Sequence, residues 1–454
     1  MIPRFTLRLT LLALLVAATL APISAPAQAL QKQPPATYRT RRQALAAKLS
    51  GGVAILFAAP EPILDFAPYR QDSDFYYLTG WNEPGAALLI VADAPKSDPP
   101  RAYREVLLLP SRNLRMEKYT GEKLGADTPN AAALAGVDEV LSMAQLPAEL
   151  NKLTAANRGL AYNLFTEPTS AEAKSLIAFN ATTLGLDSTP PTHDVTAPIT
   201  ELRVVKDPGE IALLTQAATA SIAAQRTMIQ SVHPGLTERA VAGKIVATLM
   251  AQGCERPSYA PIVGSGINST TLHYSNNSGT MQSGDLLVVD AAGEFSMYAS
   301  DITRTVPVSG HFTARQREIY DVVLGAQRAA AEAFVAGKSK ILGPHTDPDT
   351  LDTVAYNYIN THGKGPNGEP LGKYWIHGLG HMVGIDVHDP SVYPTVLRPG
   401  MVFTIEPGVY IPEEKIGVRI EDVFLVGPDG KLIDLIANLP HTADDIEAAM
   451  KPAN

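Results

Sequence analysis

Cysteine is almost absent: Cys254 is the only one in 454 residues. A single thiol cannot close an internal disulfide, so a cross-linked scaffold is excluded and stability must come from a packed core. Charged residues are also modest, at 18%, and their balance is acidic, with a formal net charge of −9. No basic tract lies outside the extreme N-terminus, which removes the electrostatic basis for nucleic-acid binding. Long apolar runs are missing beyond the first thirty residues, so nothing in the body of the chain reads as a membrane span. What remains is ordinary for a globular protein, with 45% hydrophobic residues. At ~100–200 residues per domain, two or three domains are expected. Peptides, small ligands or metal cations are the natural partners.

The N-terminus reads as an export signal. Arg4 and Arg8 form a short basic region, and Leu9 to Leu20 an apolar one. Ala27-Gln28-Ala29 then offers small residues at the cleavage positions. The apolar part is shorter than the ~20 residues that span a bilayer, and Pro22 and Pro26 keep a helix from continuing beyond it. Residues 1–29 are therefore expected to be a cleaved signal peptide. The mature protein is expected to be periplasmic or secreted, with no stable membrane span.

Pro34 and Pro35 mark a linker, and a helical stretch comes next, from Tyr38 to Leu49. Val53 to Ala58, Ala86 to Val91 and Glu105 to Leu109 are short apolar runs that predict buried strands. The expectation is a smaller α/β domain over 38–187. Ser188-Thr189-Pro190-Pro191-Thr192 has the composition of a linker. A second domain over 199–454 opens on a capping box: Asp207 as cap, Pro208 in the first turn and Glu210 three residues on. Another helix is predicted from Thr237 to Gln252, with Gly253 as its stop. Beyond Ser283 the pattern turns to strands, which gives helices packed on a mainly antiparallel sheet. The fold class is α+β.

Leu286 to Asp290 is a strand pattern that ends in a carboxylate, and Gly293 to Met297 could turn the chain. Tyr298 to Val306 reads as the return strand, with Asp301 inside it. Paired strands would bring Asp290 and Asp301 face to face, where two buried carboxylates repel unless a cation sits between them. The plainer reading puts both at surface turns. Histidine clusters further on: His377, His381 and His388 fall within twelve residues of a chain that has ten in all. The glycines around them argue against a helix and permit close backbone approach. Two glutamates come after. Val402 to Gly408 is a strand ending at Glu406, and Val418 to Val423 alternates, with Arg419 and Glu421 on one face. A solvated sheet face would show the same alternation.

Together, in the order Asp290, Asp301, His381, Glu406, Glu421, these residues make a specific set. The chain resembles the pita-bread metallopeptidase superfamily, and the run from His377 to Asp389 resembles the signature of its proline-specific branch. Asp-Ile-Thr-Arg-Thr from Asp301 and Thr-Ile-Glu-Pro-Gly from Thr404 belong to the same resemblance. In the first domain, Tyr69 to Phe75 and Thr79 to Pro84 are similar to the N-terminal domain of aminopeptidase P in particular. The resemblance implies a C-terminal pita-bread catalytic domain and a metal-dependent Xaa-Pro aminopeptidase. It implies Asp290, Asp301, His381, Glu406 and Glu421 as ligands of two divalent ions. Four carboxylates and one imidazole suit Mn²⁺ first, with Co²⁺, Zn²⁺ or Fe²⁺ as alternatives. Glu406 would also carry the proton from water to the leaving nitrogen, and His273 and His388 would act on the substrate side. Arg419 would orient Glu421 or Asp290 beside the substrate, while His377, Tyr393 and Tyr410 would line the pocket.

Such proteins form dimers or tetramers, so a homo-oligomer is expected. Relatives lend a tryptophan from a neighbouring subunit at the position that matches Tyr119 here. The Tyr393–Pro399 segment is also short and nearly uncharged, where some relatives carry a basic residue. Three competing readings stand beside this one. A prolidase, cutting Xaa-Pro dipeptides, would share all five ligands. A creatinase-like hydrolase would lack a complete ligand set. A binding module on a dead version of the fold would have lost its carboxylates.

Overall fold

The computed structural model describes residues 30–49, 51–60, 69–97, 100–156, 161–163 and 192–451. The expected signal peptide, and the linker before Thr192, lie outside the described residues.

The first part of the chain builds one mixed sheet. Its strands are β1 (Gly52–Phe57), β2 (Ala87–Ser97), β3 (Pro100–Leu109), β4 (Glu139–Ser142), β5 (Ala161–Asn163) and β6 (Thr192–Asp194). They lie in the order β4-β3-β2-β1-β5-β6, with the central pairs antiparallel and the outer pairs parallel. Both faces are covered, which is why the three central strands read as continuous apolar runs. On one face Val53, Ile55, Leu89, Val91, Val106 and Leu108 pack against Leu146 and Leu153 of the helix Leu146–Ala156. The other face carries a buried charge. Glu105 accepts hydrogen bonds from Arg42 Nε (2.7 Å) and Nη2 (3.2 Å), both from the helix Pro35–Lys48. That helix begins three residues before the expected Tyr38, because Pro35 suits a first turn whose N–H groups have no partner anyway.

The second part obeys its capping signals closely. Asp207 Oδ1 accepts from the Glu210 amide at 2.9 Å, and Glu210 Oε2 accepts from the Asp207 amide at 3.0 Å. The helix Pro208–Ser231 starts there, and Thr237 caps a second helix, Glu238–Ala251. Ile262–Ser265, Leu286–Asp290 and Thr303–Pro307 form an antiparallel sheet with Leu286–Asp290 in the middle. Val402–Ile405 pairs with Asp422–Val426, and Gly408–Ile411 with Ile416–Arg419. The architecture is α+β, as expected. Among the described residues no helix is long and apolar enough to cross a membrane.

Two expected strands are broken, and both breaks matter. Gly293–Phe295 is itself a strand, so the turn contracts to Ser296 and Met297, both with positive φ (51° and 74°). That backbone matches the twist of a tight hairpin, although neither residue is the usual glycine or asparagine. The expected return strand from Tyr298 to Val306 is really two, Tyr298–Ala299 and Thr303–Pro307, and Asp301 lies in the gap. Likewise Ile420 and Glu421 fall between Ile416–Arg419 and Asp422–Val426, where the chain leaves one partner strand for another. The Glu421 amide there bonds to the Thr303 carbonyl at 3.1 Å and ties the two gaps together.

Candidate metal centre and active site

The two strand breaks, the end of the strand at Asp290 and the histidine loop converge. Asp290 and Asp301 are 8% and 5% exposed and Glu421 is 1%, so none of them is at a surface turn or on a solvated face. Ligand atoms of Asp290, Asp301 and Glu421 lie within 4.8 Å of one another, and so do those of His381, Glu406 and Glu421. A third group of this kind joins Asp301, His381 and His388. The five expected ligands therefore form one continuous cluster, with Glu421 common to two of the groups.

Backbone spacing accounts for how the histidine loop reaches the glutamates. The loop runs beside the strand Val402–Ile405: the Thr404 amide bonds to the His381 carbonyl (2.9 Å) and the Glu406 amide to the Leu379 carbonyl (2.8 Å). A Cβ on Gly380 would stand 2.2 Å from the Thr404 carbonyl oxygen, so only glycine permits this approach. Asp352 holds the same loop from behind, accepting from the Leu379 amide at 2.9 Å.

The imidazoles have defined tautomers. His381 Nδ1 lies 3.0 Å from the Met382 carbonyl, which can only accept, so Nδ1 carries the proton. Nε2 is left facing Asp301 Oδ2 and Glu406 Oε1, each at 3.4 Å. This is the arrangement of a histidine prepared as a metal ligand. By the same logic His377 donates from Nδ1 to the Gly378 carbonyl (2.8 Å), and its Nε2 accepts from the Tyr410 hydroxyl (2.9 Å). Tyr410 accepts in turn from Arg419 Nη1 (2.9 Å), and Arg419 Nη2 donates to Asp290 Oδ2 (2.7 Å). Arg419 thus holds Asp290 and connects it through Tyr410 to His377.

The electrostatics are those of a site short of positive charge. Burial pushes the Glu406 carboxyl up to about 7 and the Glu421 and Asp290 carboxyls upward as well, with repulsion among the carboxylates adding to it. Burial alone would lower His381, but Asp301 and Glu406 hold it at about 9, so without a cation Nε2 also carries a proton, which a bound metal would displace. A divalent cation supplies the charge that this cluster lacks, and four carboxylates with one free imidazole nitrogen are a suitable donor set. His377 goes the other way, to about 4, through burial and the nearby Arg419 cation, so it is a neutral hydrogen-bonding group.

His388 is exposed at the mouth, its ring centroid 4.0 Å from that of His381. His273 is also exposed. Its loop is tied to Glu238, whose buried carboxylate accepts from the Ser265 amide and hydroxyl, Asn268, the Tyr274 hydroxyl and the Gly279 amide. Tyr393 stands apart: it is 42% exposed and shares none of the hydrogen bonds that build the cluster. Tyr119 is 77% exposed on the short helix Glu117–Thr120.

Three contributors carried no signal as ligands. The Tyr259 hydroxyl lies 2.5 Å from both Asp290 Oδ1 and Asp301 Oδ1 and bridges the two carboxylates. Thr303 donates to Glu421 Oε2 at 2.6 Å, and Thr404 to Glu406 Oε1 at 3.3 Å. The two threonines sit in motifs already singled out and could have been found there. Nothing in the sequence marks Tyr259.

Comparison with known proteins places this geometry. Residues 212–428 match metallopeptidase family M24, and residues 38–162 match the aminopeptidase P N-terminal domain. The chain belongs to the aminopeptidase P family. The Xaa-Pro aminopeptidase of Escherichia coli is 35% identical to it over 92% of this chain and 98% of that one. The solved structure of proline aminopeptidase P II from Yersinia pestis superposes with a TM-score of 0.79 at 32% identity, covering 92% of this chain and 99% of that one. Aminopeptidase P from E. coli with the inhibitor Pro-Leu gives 0.78 at 33% identity, over the same shares. The pita-bread catalytic domain and the N-terminal domain of aminopeptidase P are therefore both present.

Proposed function

We infer that this chain is a metal-dependent exopeptidase that releases the N-terminal residue from peptides with proline at the second position. The observation that carries it is the pair of carboxylate-rich ligand groups meeting at Glu421, in a chain of the aminopeptidase P family. Two ions, preferentially Mn²⁺, are our reading of that pair, held by Asp290, Asp301, His381, Glu406 and Glu421. When bound, such ions polarise the peptide carbonyl and make water acidic enough to act as a nucleophile near neutral pH. This chain's own residues do the rest. Glu406 takes the proton from water and delivers it to the leaving nitrogen. His388 and His273, on the open side, donate to the developing oxyanion. His377, Arg419 and Tyr410 hold the wall against which substrate rests, and we keep Tyr393 on the rim.

A residue before proline is awkward for general peptidases, because the X-Pro nitrogen has no N–H and the ring fixes φ. The acidic cluster attracts the free α-amine of such a peptide. A prolidase would also need positive charge to grip the terminal carboxylate, and between Tyr393 and Pro399 this chain has only Arg398. Xaa-Pro-Yaa peptides are therefore expected to be cleaved with higher kcat/KM than Xaa-Pro dipeptides, and Xaa-Ala-Yaa peptides poorly. Product release measured with and without Mn²⁺ decides it. A preference for dipeptides would move the assignment to prolidase, and equal cleavage of proline and alanine peptides would remove the proline specificity.

Export and self-association also remain part of this proposal. The Ala27-Gln28-Ala29 site behind an apolar run supports cleavage after Ala29 and residence beyond the inner membrane. N-terminal sequencing of protein from the native host should begin at Leu30; intact Met1 in membrane-bound material would refute it. The exposed Leu114, Met116 and Tyr119 support a dimer or tetramer.

A further inference from the structure

His388 has an unusual kind of support. Among the described residues nothing hydrogen-bonds its imidazole, so its aim is set by its packing against the His381 ring and by the backbone on either side. That backbone is pinned by two carboxylates, one two residues before it and one just after. Asp389 is 5% exposed and accepts from Arg203 Nη2 (2.5 Å) and Lys206 Nζ (2.9 Å). Its Oδ1 also accepts from the Asp386 amide at 3.3 Å, closing the loop on itself. A Cβ on Gly384 would meet the Asp389 carboxylate at 2.5 Å, so the turn is shaped around that group.

Asp386 is held from both domains. Its Oδ2 accepts from Arg203 Nη2 at 2.7 Å, and its Oδ1 from the Ser73 hydroxyl at 2.6 Å and Arg70 Nη2 at 3.4 Å. Arg70 Nη2 also reaches the Ile385 carbonyl at 3.0 Å, while its Nε is fixed by Glu294 Oε2 at 2.7 Å. Arg203 uses its remaining terminal nitrogen on Asp74, at 2.7 Å. Arg70, Ser73 and Asp74 all belong to the first domain. Buried ion pairs of this sort add little net stability, because desolvation offsets their attraction, but removing one partner is costly. Their geometric effect is to fix position.

We propose that Arg70 and Ser73 of the N-terminal domain are positioning residues for catalysis, aiming His388 through Asp386. This rests on His388 acting on the substrate. A displacement of about 1 Å in a reacting group can cost ~10²-fold in rate. Arg70→Met in the full-length, Mn²⁺-loaded enzyme is expected to lower kcat on an Xaa-Pro-Yaa peptide by ~10–100-fold. KM and metal content should stay near those of the parent. Arg70→Lys keeps the charge but loses the fork, so it should recover only part of the rate.

The deciding measurement is the double-mutant cycle with His388→Ala. In that background Arg70→Met should cost less than ~3-fold, because there is no longer an imidazole to aim. Ser73→Ala removes the hydroxyl that donates to Asp386 (2.6 Å) and accepts from Arg70 Nη1 (3.1 Å) and leaves the charges intact, so it covers the case in which Arg70→Met folds poorly. Its smaller loss should vanish in the same background. If either substitution costs as much with His388 absent as with it present, the network only holds the domains together and the proposal fails. If His388→Ala itself leaves kcat unchanged, the role given to His388 is what fails.

Discussion

Glu406→Gln and Asp301→Asn should each leave a folded protein with almost no peptidase activity. Glu406 has the more exacting task. It faces His381 Nε2 at 3.4 Å, accepts from Thr404 and sits among three other carboxylates. Glutamine keeps the shape and loses both the proton exchange and a ligand charge. General acid–base catalysis alone is worth ~10²–10⁴-fold, and weakened metal binding adds to that. Asp301 reaches His381 on one side and Tyr259 on the other, so its asparagine variant should fail mainly through metal affinity. Chelator should inactivate the parent enzyme, and a divalent metal should restore it. Full activity in protein shown by elemental analysis to be metal-free would falsify the metal-dependent reading.

His388→Ala should lower kcat by ~10²–10³-fold, the range for losing one donor to a developing oxyanion. The side chain is exposed at the mouth, where partial burial and the adjacent His381 charge hold its pKa below the usual value. Its ring is close enough to His381 and Asp301 that a direct ligand role is the serious alternative. Metal content separates the two. Ions retained at the parental level with activity lost place His388 on the substrate side, whereas loss of metal along with activity makes it a ligand.

The sequence carried much of this, for definite reasons. Capping at Asp207 and Thr237 is local chemistry, so it is legible within four residues. The ligand set was legible through the resemblance of its motifs to the pita-bread family, whereas the residue pattern alone left Asp290 and Asp301 open to a surface-turn reading. The strand breaks at Asp301 and Glu421 were hidden, because alternation and apolar content record burial and not the identity of the partner strand. The gaps appear only when the ladder switches partners, and that switch frees both carboxylates to turn towards each other. Tyr259, Asp352 and the Arg203 network stayed hidden for a related reason. Each acts on a residue far away in the chain, and nothing nearby distinguishes it from an ordinary buried polar group. The glycines of the histidine run had a legible purpose but a different neighbour: Gly380 admits the Thr404 backbone, and Gly384 a carboxylate of the run itself.

Glu238 bears on how this enzyme can change. The loop that carries His273 is anchored at Tyr274 and at the Gly279 amide, both on one carboxylate. Ser275 and Asn276, between those anchors, are exposed and play no part in that anchorage. A loop held at its ends by a single buried group can exchange its middle residues without losing register. Sequence drift, or a randomised library confined to Ser275 and Asn276, can therefore explore new contacts beside His273 while the catalytic frame stays where it is.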